Sequence, residues 1–268
     1  MSNSDMKHFF LTILVAFFTV SMVGQVTFQP KSYDGDVKGV VYSTEKTVDL
    51  RLYPNGWAVA YNTGNIVSYN KTKYYHFELG KHADPREKLQ SRPYNLSFVR
   101  GAGSFAYGKI NSFYSARVGM GRLKYVSEKA KRKGIAVGFN YEVGPALGFL
   151  KPYYLEVYVD DGELAGFSTE PIKYSEETAA VFLDQGSIAN EGRFVEGLLE
   201  TKLIPGIQGK IGVHFDAGAF DEYVKAIEVG AMAEVYSRRI PLMAPTDNHS
   251  DKPFFFNLYV NLHFGKRN

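Results

Sequence analysis

The sequence predicts an all-β chain: a transmembrane antiparallel up-and-down β-barrel of about ten strands, with eight or twelve as the nearest alternatives. Three observations lead there. Residues Phe254–Phe264 read FFFNLYVNLHF and alternate in size and polarity at every step. A period of two held over about ten residues is the pattern of a strand that crosses a bilayer inside a closed barrel. Several other stretches repeat the alternation, and a single long apolar run, Phe9–Gly24, precedes them all.

That run, FFLTILVAFFTVSMVG, follows Lys7 and His8 and ends among the small residues Ser21 and Gly24. It has the layout of a cleavable export signal and is short for a spanning helix. Cleavage is expected after Gly24, although Met22 is not the usual small residue. The expected organisation is a signal peptide over 1–24, a polar periplasmic segment over 25–37, a barrel over 38–265 and a polar tail over 266–268. Composition agrees with a β-protein: 19 Tyr, 20 Phe and 26 Gly stand against one Trp, and aromatic, glycine-rich chains favour strands. The repeated apolar runs of about 20 residues that a helical membrane protein needs are absent. A net charge of +3 is too weak to make nucleic acid a partner. The chain has no Cys, which excludes an acylated lipoprotein and a disulfide framework. An exported chain without disulfides fits a bacterial envelope.

The strands follow in order. Gly39–Ser43 is short and the weakest. Val48, Leu50 and Leu52 alternate with Asp49 and Arg51, and Asn55-Gly56 then supplies a hairpin signal. Trp57, Val59 and Tyr61 form the next apolar face; Tyr75, Phe77 and Leu79 oppose His76 and Glu78. Tyr114, Ala116, Val118 and Met120 oppose Ser115 and Arg117. Ile135, Val137, Phe139, Tyr141 and Val143 oppose Asn140 and Glu142. Tyr153, Leu155, Val157 and Val159 oppose Glu156 and Tyr158. Ile207, Ile211, Val213 and Phe215 oppose Lys210, His214 and Asp216. Ile227, Val229, Ala231, Ala233 and Val235 oppose Glu228 and Glu234. In the last strand Phe254, Phe256, Leu258, Val260, Leu262 and Phe264 face one way and Asn257, Tyr259, Asn261 and His263 the other.

In a soluble β-sandwich the apolar faces would form the dry core. In a membrane barrel they meet lipid, and the charges converge on the lumen. The export signal and the aromatic last strand favour the barrel. The expected lumen charge network is Asp49, Arg51, His76, Glu78, Arg117, Glu142, Glu156, Lys210, His214, Asp216, Glu228 and Glu234. In a barrel of about ten strands these side chains pair and largely fill the interior. Counting back from the last strand with both termini periplasmic makes loops 127–133, 161–206 and 238–252 extracellular. The same count makes Asn55-Gly56, 220–223 and, at some cost, the long 82–111 connection periplasmic. Phe194, Leu198 and Leu199 recur at helical spacing within the long loop, which reads most simply as an ordered surface segment. The loop Ser127–Gly134 (SEKAKRKG) carries four cations that suit lipopolysaccharide phosphates or simply a solvated hairpin.

Catalytic constellations are lacking. There is no G-x-S-x-G and no close Ser/His/Asp grouping, and metal spacing such as H-E-x-x-H is absent. His76, His214 and His263 fall on inward faces and read as partners for lumen carboxylates. Glycines at Gly101, Gly119 and Gly121 lie in or beside strands, where they relieve crowding. The expectation is therefore no catalytic residue, no cofactor and no metal.

With its signal peptide, its repeated alternations and the ending FNLYVNLHFGKR, the chain resembles the outer-membrane β-barrel proteins of Gram-negative bacteria. It is similar to small barrels of the Bacteroidota type, also in YVSEKAKRKGIAVGFNYEVGPALGFLKPYYLE and FDEYVKAIEVGAMAEV. The resemblance spans roughly residues 38 to 265. It implies residence in the outer membrane and insertion by the barrel-assembly machinery; a monomer in contact with membrane lipids, including lipopolysaccharide, is expected beside it. That machinery would read Phe254, Phe256, Leu258, Val260, Leu262 and Phe264, although the chain ends four residues beyond Phe264. No catalytic residue carries over. A structural or interaction role is expected first, with a narrow pore for small solutes and a membrane-embedded lipid-modifying enzyme as alternatives.

Overall fold

The computed structural model of the chain describes residues 42–91, 104–127, 134–160, 167–217, 221–245 and 251–268. The expected signal peptide and residues 25–37 lie outside them. Eight long strands form the barrel: β1 (Thr44–Tyr53), β2 (Gly56–Ser68), β3 (Lys71–His82), β6 (Asn111–Tyr125), β7 (Ala136–Pro152), β11 (Lys202–Asp216), β12 (Tyr223–Tyr236) and β13 (Phe254–Arg267). Each is hydrogen-bonded to its sequential neighbour in the barrel, and β13 pairs antiparallel with β1 to close the ring. The remaining pieces are short: β4 (Leu89–Ser91), β5 (Ser104–Ala106), β8 (Tyr154–Asp160), β9 (Phe167–Lys173), a one-turn helix α1 (Ala179–Phe182) and β10 (Ile188–Glu191).

The barrel therefore closes with eight strands rather than ten. The segment Tyr153–Val159 is a strand, but it pairs with β9 and β10 in a separate three-stranded sheet. Its place beside β7 is taken by β11, which matches β7 from Lys202↔Leu150 to Asp216↔Ala136. Gly39–Ser43 lies mostly outside the described residues, and Tyr42 and Ser43 precede the first strand. The final strand continues to Arg267, so residues 266–267 belong to the barrel rather than to a tail.

Eight strands also correct the assignment of loops to ends. One end of the barrel carries the start of β1, the finish of β13 and the connections at Tyr69–Asn70, 126–135 and 217–222. The other carries the tight turn at Asn55 and the three long connections, 83–110, 153–201 and 237–253. Residues 128–133 of the basic loop lie outside the described residues, but the ends of β6 and β7 that flank them are at the termini end; Asn55-Gly56 is at the far end, and the long 83–110 connection joins the other long ones.

The long connections build a cap with its own core. Phe105, Tyr153, Leu155, Phe182 and Ile188 are buried together, with Tyr107, Ile110 and Ile172 packed around them. The Ala106 N–H donates to Tyr153 Oη at 3.1 Å and Tyr107 Oη to the Leu183 carbonyl at 2.8 Å. Both bonds tie the 83–110 connection to the 153–201 connection. Burial pushes the Tyr153 hydroxyl up. At the cap surface Lys173 and Tyr154 donate to Glu200, and these bonds hold its carboxyl below its usual range. The stretch around Phe194–Leu199 is a run of turns rather than a helix, with Phe194 and Leu199 exposed.

Candidate functional site

The two faces of the barrel wall are sorted by the pleat: successive side chains alternate between the interior and the outer surface. Outward positions are apolar. Phe139 is 56% exposed, Val229 48% and Leu258 65%. Of the six residues expected to guide assembly, Phe254, Phe256, Leu258, Val260 and Phe264 are exposed on the outer face and Leu262 is half-buried. Aromatic side chains cluster outside near both ends: Trp57, Phe254 and Phe256 toward the long connections, Tyr75, Phe139, Phe215 and Phe264 toward the termini. At the termini end Lys71, Lys73, Arg122 and Lys124 are exposed beyond the apolar band; Lys71 faces Lys124 and Lys73 faces Arg122 across the β3–β6 pair.

The interior has three layers. Nearest the long connections it is apolar. Phe113 stacks on Phe255 at 5.4 Å, Phe255 on His82 at 4.7 Å, and Tyr236 meets Phe113 edge-on. Ile240, Leu242 and Met243 of the 237–253 connection pack onto Phe113, Leu150 and Ile204. That segment is pinned by the Ile110 N–H on the Leu242 carbonyl (2.9 Å) and the Ala244 N–H on the Gly108 carbonyl (2.7 Å). The layer is a plug.

The middle layer is ionic. Glu78 is the hub: it pairs with Arg51, with Arg117 at 3.0 Å and with Lys210 at 3.2 Å, and its Oε2 lies 3.0 Å from His76 Nε2. Arg117 bridges onward to Glu234 at 2.6 Å, which also accepts from Tyr236 Oη at 2.6 Å. Lys210 bridges to Glu142 at 3.0 Å, which accepts from Gln208 at 2.7 Å. All these charges are buried. Small residues make room for the larger polar rings: a Cβ on Gly121 would collide with the Tyr74 ring, and one on Gly230 with Tyr259 Oη. Eight strands enclose an interior just wide enough for side chains to fill.

The third layer lies toward the termini. His263 Nδ1 is 2.9 Å from Asp49 Oδ1, and Asp49 Oδ2 accepts from Asn62 (2.8 Å) and Asn261 (2.9 Å). Glu228 sits between His214 and His263, accepting from Tyr259 Oη and from Asn140 Nδ2 at 2.7 Å each. Arg267 holds Asp216 at 2.7 Å and Glu45 at 2.7 Å, and Tyr125 donates to Asp216 at 2.8 Å.

Of the twelve residues expected in the lumen, eleven face it, from Asp49 and Arg51 through Glu234. Glu156 does not: it is on β8 in the cap sheet, opposite Pro171 of β9. His82, Tyr74 and Arg267 are integral to the network without standing out in the sequence, and Tyr259 joins it from the inward face that the alternation of the last strand predicts. Arg267 was legible, since the parity of Asn261 and His263 carries on through Gly265 to 267. His82 was obscured because its strand ends there.

No protein-family model matches the chain, and no curated protein sequence matches it.

Proposed function

We propose that the chain is an integral outer-membrane β-barrel of the bacterial envelope, with a structural or interaction role and a sealed lumen. The observation that carries this reading is the inverted wall: side chains such as Phe139, Val229 and Leu258 point out while carboxylates and guanidinium groups point in. An outer apolar surface of that extent is costly in water and favourable against acyl chains. Aromatic residues at both margins fit the two membrane–water interfaces. The termini and the shorter connections occupy one end, the periplasmic side of such barrels, which leaves the cap outside the cell. On this reading the basic collar of Lys71, Lys73, Arg122 and Lys124 meets anionic phospholipid headgroups of the inner leaflet instead of lipopolysaccharide. A plug of Phe113, Phe255, Leu242 and Met243 over an ion-paired layer favours a rigid anchor that displays the cap over a conducting pore.

Trp57, the single tryptophan, stands on the outer face beside the Asn55 turn. Folding the mature chain into vesicles of brominated phosphatidylcholine is expected to quench its fluorescence, and the folded band on an unheated SDS gel should shift on boiling. Unquenched, fully water-accessible Trp57 in a chain that stays soluble after carbonate washing would defeat the proposal. Discrete conductance steps in planar bilayers would instead favour the pore.

A further inference from the structure

We propose that the termini end of the barrel interior binds one divalent transition-metal ion of the zinc class through His214, Glu228 and His263. The sequence spacing conceals this site because its ligands come from three strands. His214 on β11 lies directly opposite Glu228 on β12; Glu228 lies opposite Asn261 on β13, and His263 is the next inward position along that strand. The pleat therefore brings two imidazoles and a carboxylate onto one patch of the inner wall.

The geometry is close to that of a ligand set. Glu228 Oε2 is 3.3 Å from His214 Nδ1 and 3.6 Å from His263 Nε2, and one ligand atom from each of the three residues lies within 4.8 Å of the others. Zinc bonds of 2.0–2.1 Å at tetrahedral angles put neighbouring ligands about 3.3 Å apart. Two edges of the tetrahedron are thus nearly formed. Two histidines with one carboxylate are a set that zinc accepts with a fourth position left to water. Beside His214 and His263 is a cavity of about 30 Å³, also lined by Thr47, Asn62 and Tyr74, which is room for a water or two.

Two further observations point to a cation. First, His263 Nδ1 lies 2.9 Å from Asp49 Oδ1, and Nε2 of the same ring is turned toward Glu228. This is the carboxylate–histidine support found behind metal-bound imidazoles. Nε2 also lies 3.0 Å from Asn261 Nδ2, a contact the ion would displace. His214 Nε2, by contrast, is buried with no hydrogen-bond partner. Second, the interior carboxylates differ in their direct partners. Glu78, Glu142, Glu234 and Asp216 each pair with an Arg or Lys. Asp49 and Glu228 have no Arg or Lys within ion-pair distance among the described residues; the groups that touch them are histidines and neutral side chains. A dication bound between His214 and His263 would bring a positive charge directly onto Glu228 and next to the imidazole that faces Asp49.

The site also has a mechanical consequence. Its ligands lie on β11, β12 and β13, and Asp49 on β1 supports them, so the ion would staple the β13–β1 seam at which the barrel closes. The inference does not depend on where in the cell the protein resides.

The test uses the untagged, folded full chain, with cobalt(II) and zinc(II) chlorides as probes. The expected result is one cobalt per chain with the visible absorption of tetrahedral cobalt, displaced by zinc. That absorption should be lost in His214→Gln and His263→Gln and kept in His82→Gln, at the opposite end of the interior. Zinc, but not magnesium, should raise the thermal unfolding midpoint of the unmodified chain by about 5–10 °C at a free concentration about 100-fold above Kd. Absence of the cobalt band in the unmodified chain overturns the proposal, as does a band that survives His214→Gln. Should His214→Gln not fold, the zinc-against-magnesium shift decides, and equal effects of the two ions overturn it.

Discussion

The barrel and its cap are made of the same material, antiparallel strands with alternating apolar residues, and they use it in opposite senses. In the cap, Leu155 of β8 is fully buried with Phe182 and Ile188, while Glu156 and Tyr158 of β8 are half-exposed. In the barrel, Glu78, Arg117 and Glu234 are buried while Leu79, Val118 and Val235 are exposed. The pleat is indifferent to which face is dry. What decides is closure: a ring of eight strands encloses its polar side chains whether or not water is there, whereas three short strands can only shield one face against a neighbour.

The difference is sharpest when each interior is damaged. Glu78→Ala would leave Arg51, Arg117 and Lys210 facing one another, and losing one partner of a buried ionic network costs about 3–5 kcal/mol. Urea unfolding of the barrel in bilayers should show a loss of that size, with cap proteolysis unchanged; a loss below about 1 kcal/mol would mean that water reaches the ionic layer and screens it. On the outer face, Val229→Arg at the middle of β12 should cost about 2–4 kcal/mol if that face meets acyl chains. A neutral result in bilayers would place Val229 in water and remove the contrast. In the cap, Ile188→Val trims one methylene from a conventional core, worth about 0.5–1.5 kcal/mol. Limited proteolysis between β9 and β10 should speed up about 2- to 10-fold, with no change in the temperature at which the barrel yields to SDS. Coupled loss of both would show that cap and barrel unfold as one unit.

The smallest effect is electrostatic. The bonds from Lys173 and Tyr154 lower the Glu200 pKa below its ordinary 4.5. A depressed carboxylate contributes stability that is present above the unfolded value and lost as pH falls through the folded one. Amide protection across the β8–β9 pair should therefore hold down to about that ordinary value and weaken only below it. Because the pair is fully exposed, salt should blunt the change. The ionic layer of the barrel should be insensitive to the same salt.

Much of this is legible in the sequence. The inward parity of Asp49, Arg51, His76, Glu78 and Lys210 follows from a period of two, and the apolar outer face follows with it. The strand count did not follow. Tyr153–Val159 alternates as cleanly as any barrel strand, and nothing in its seven residues says that β11 will occupy the edge of β7 instead. Counting that segment as a barrel strand puts the β6–β7 connection and the Asn55-Gly56 turn at the wrong ends and Glu156 in the lumen. Arg267 is easily missed in the sequence because four residues after an aromatic look like a tail, whereas in the fold its guanidinium is held by Asp216 and Glu45.

Taken alone, the amino-acid order determined which side chains share a face, because alternation is a property of one strand and needs no partner. Which strands stand next to one another, and so which charges meet, was decided only in three dimensions. His214, Glu228 and His263 become neighbours through register between β11, β12 and β13, and register depends on hydrogen bonds and closure that no local window contains.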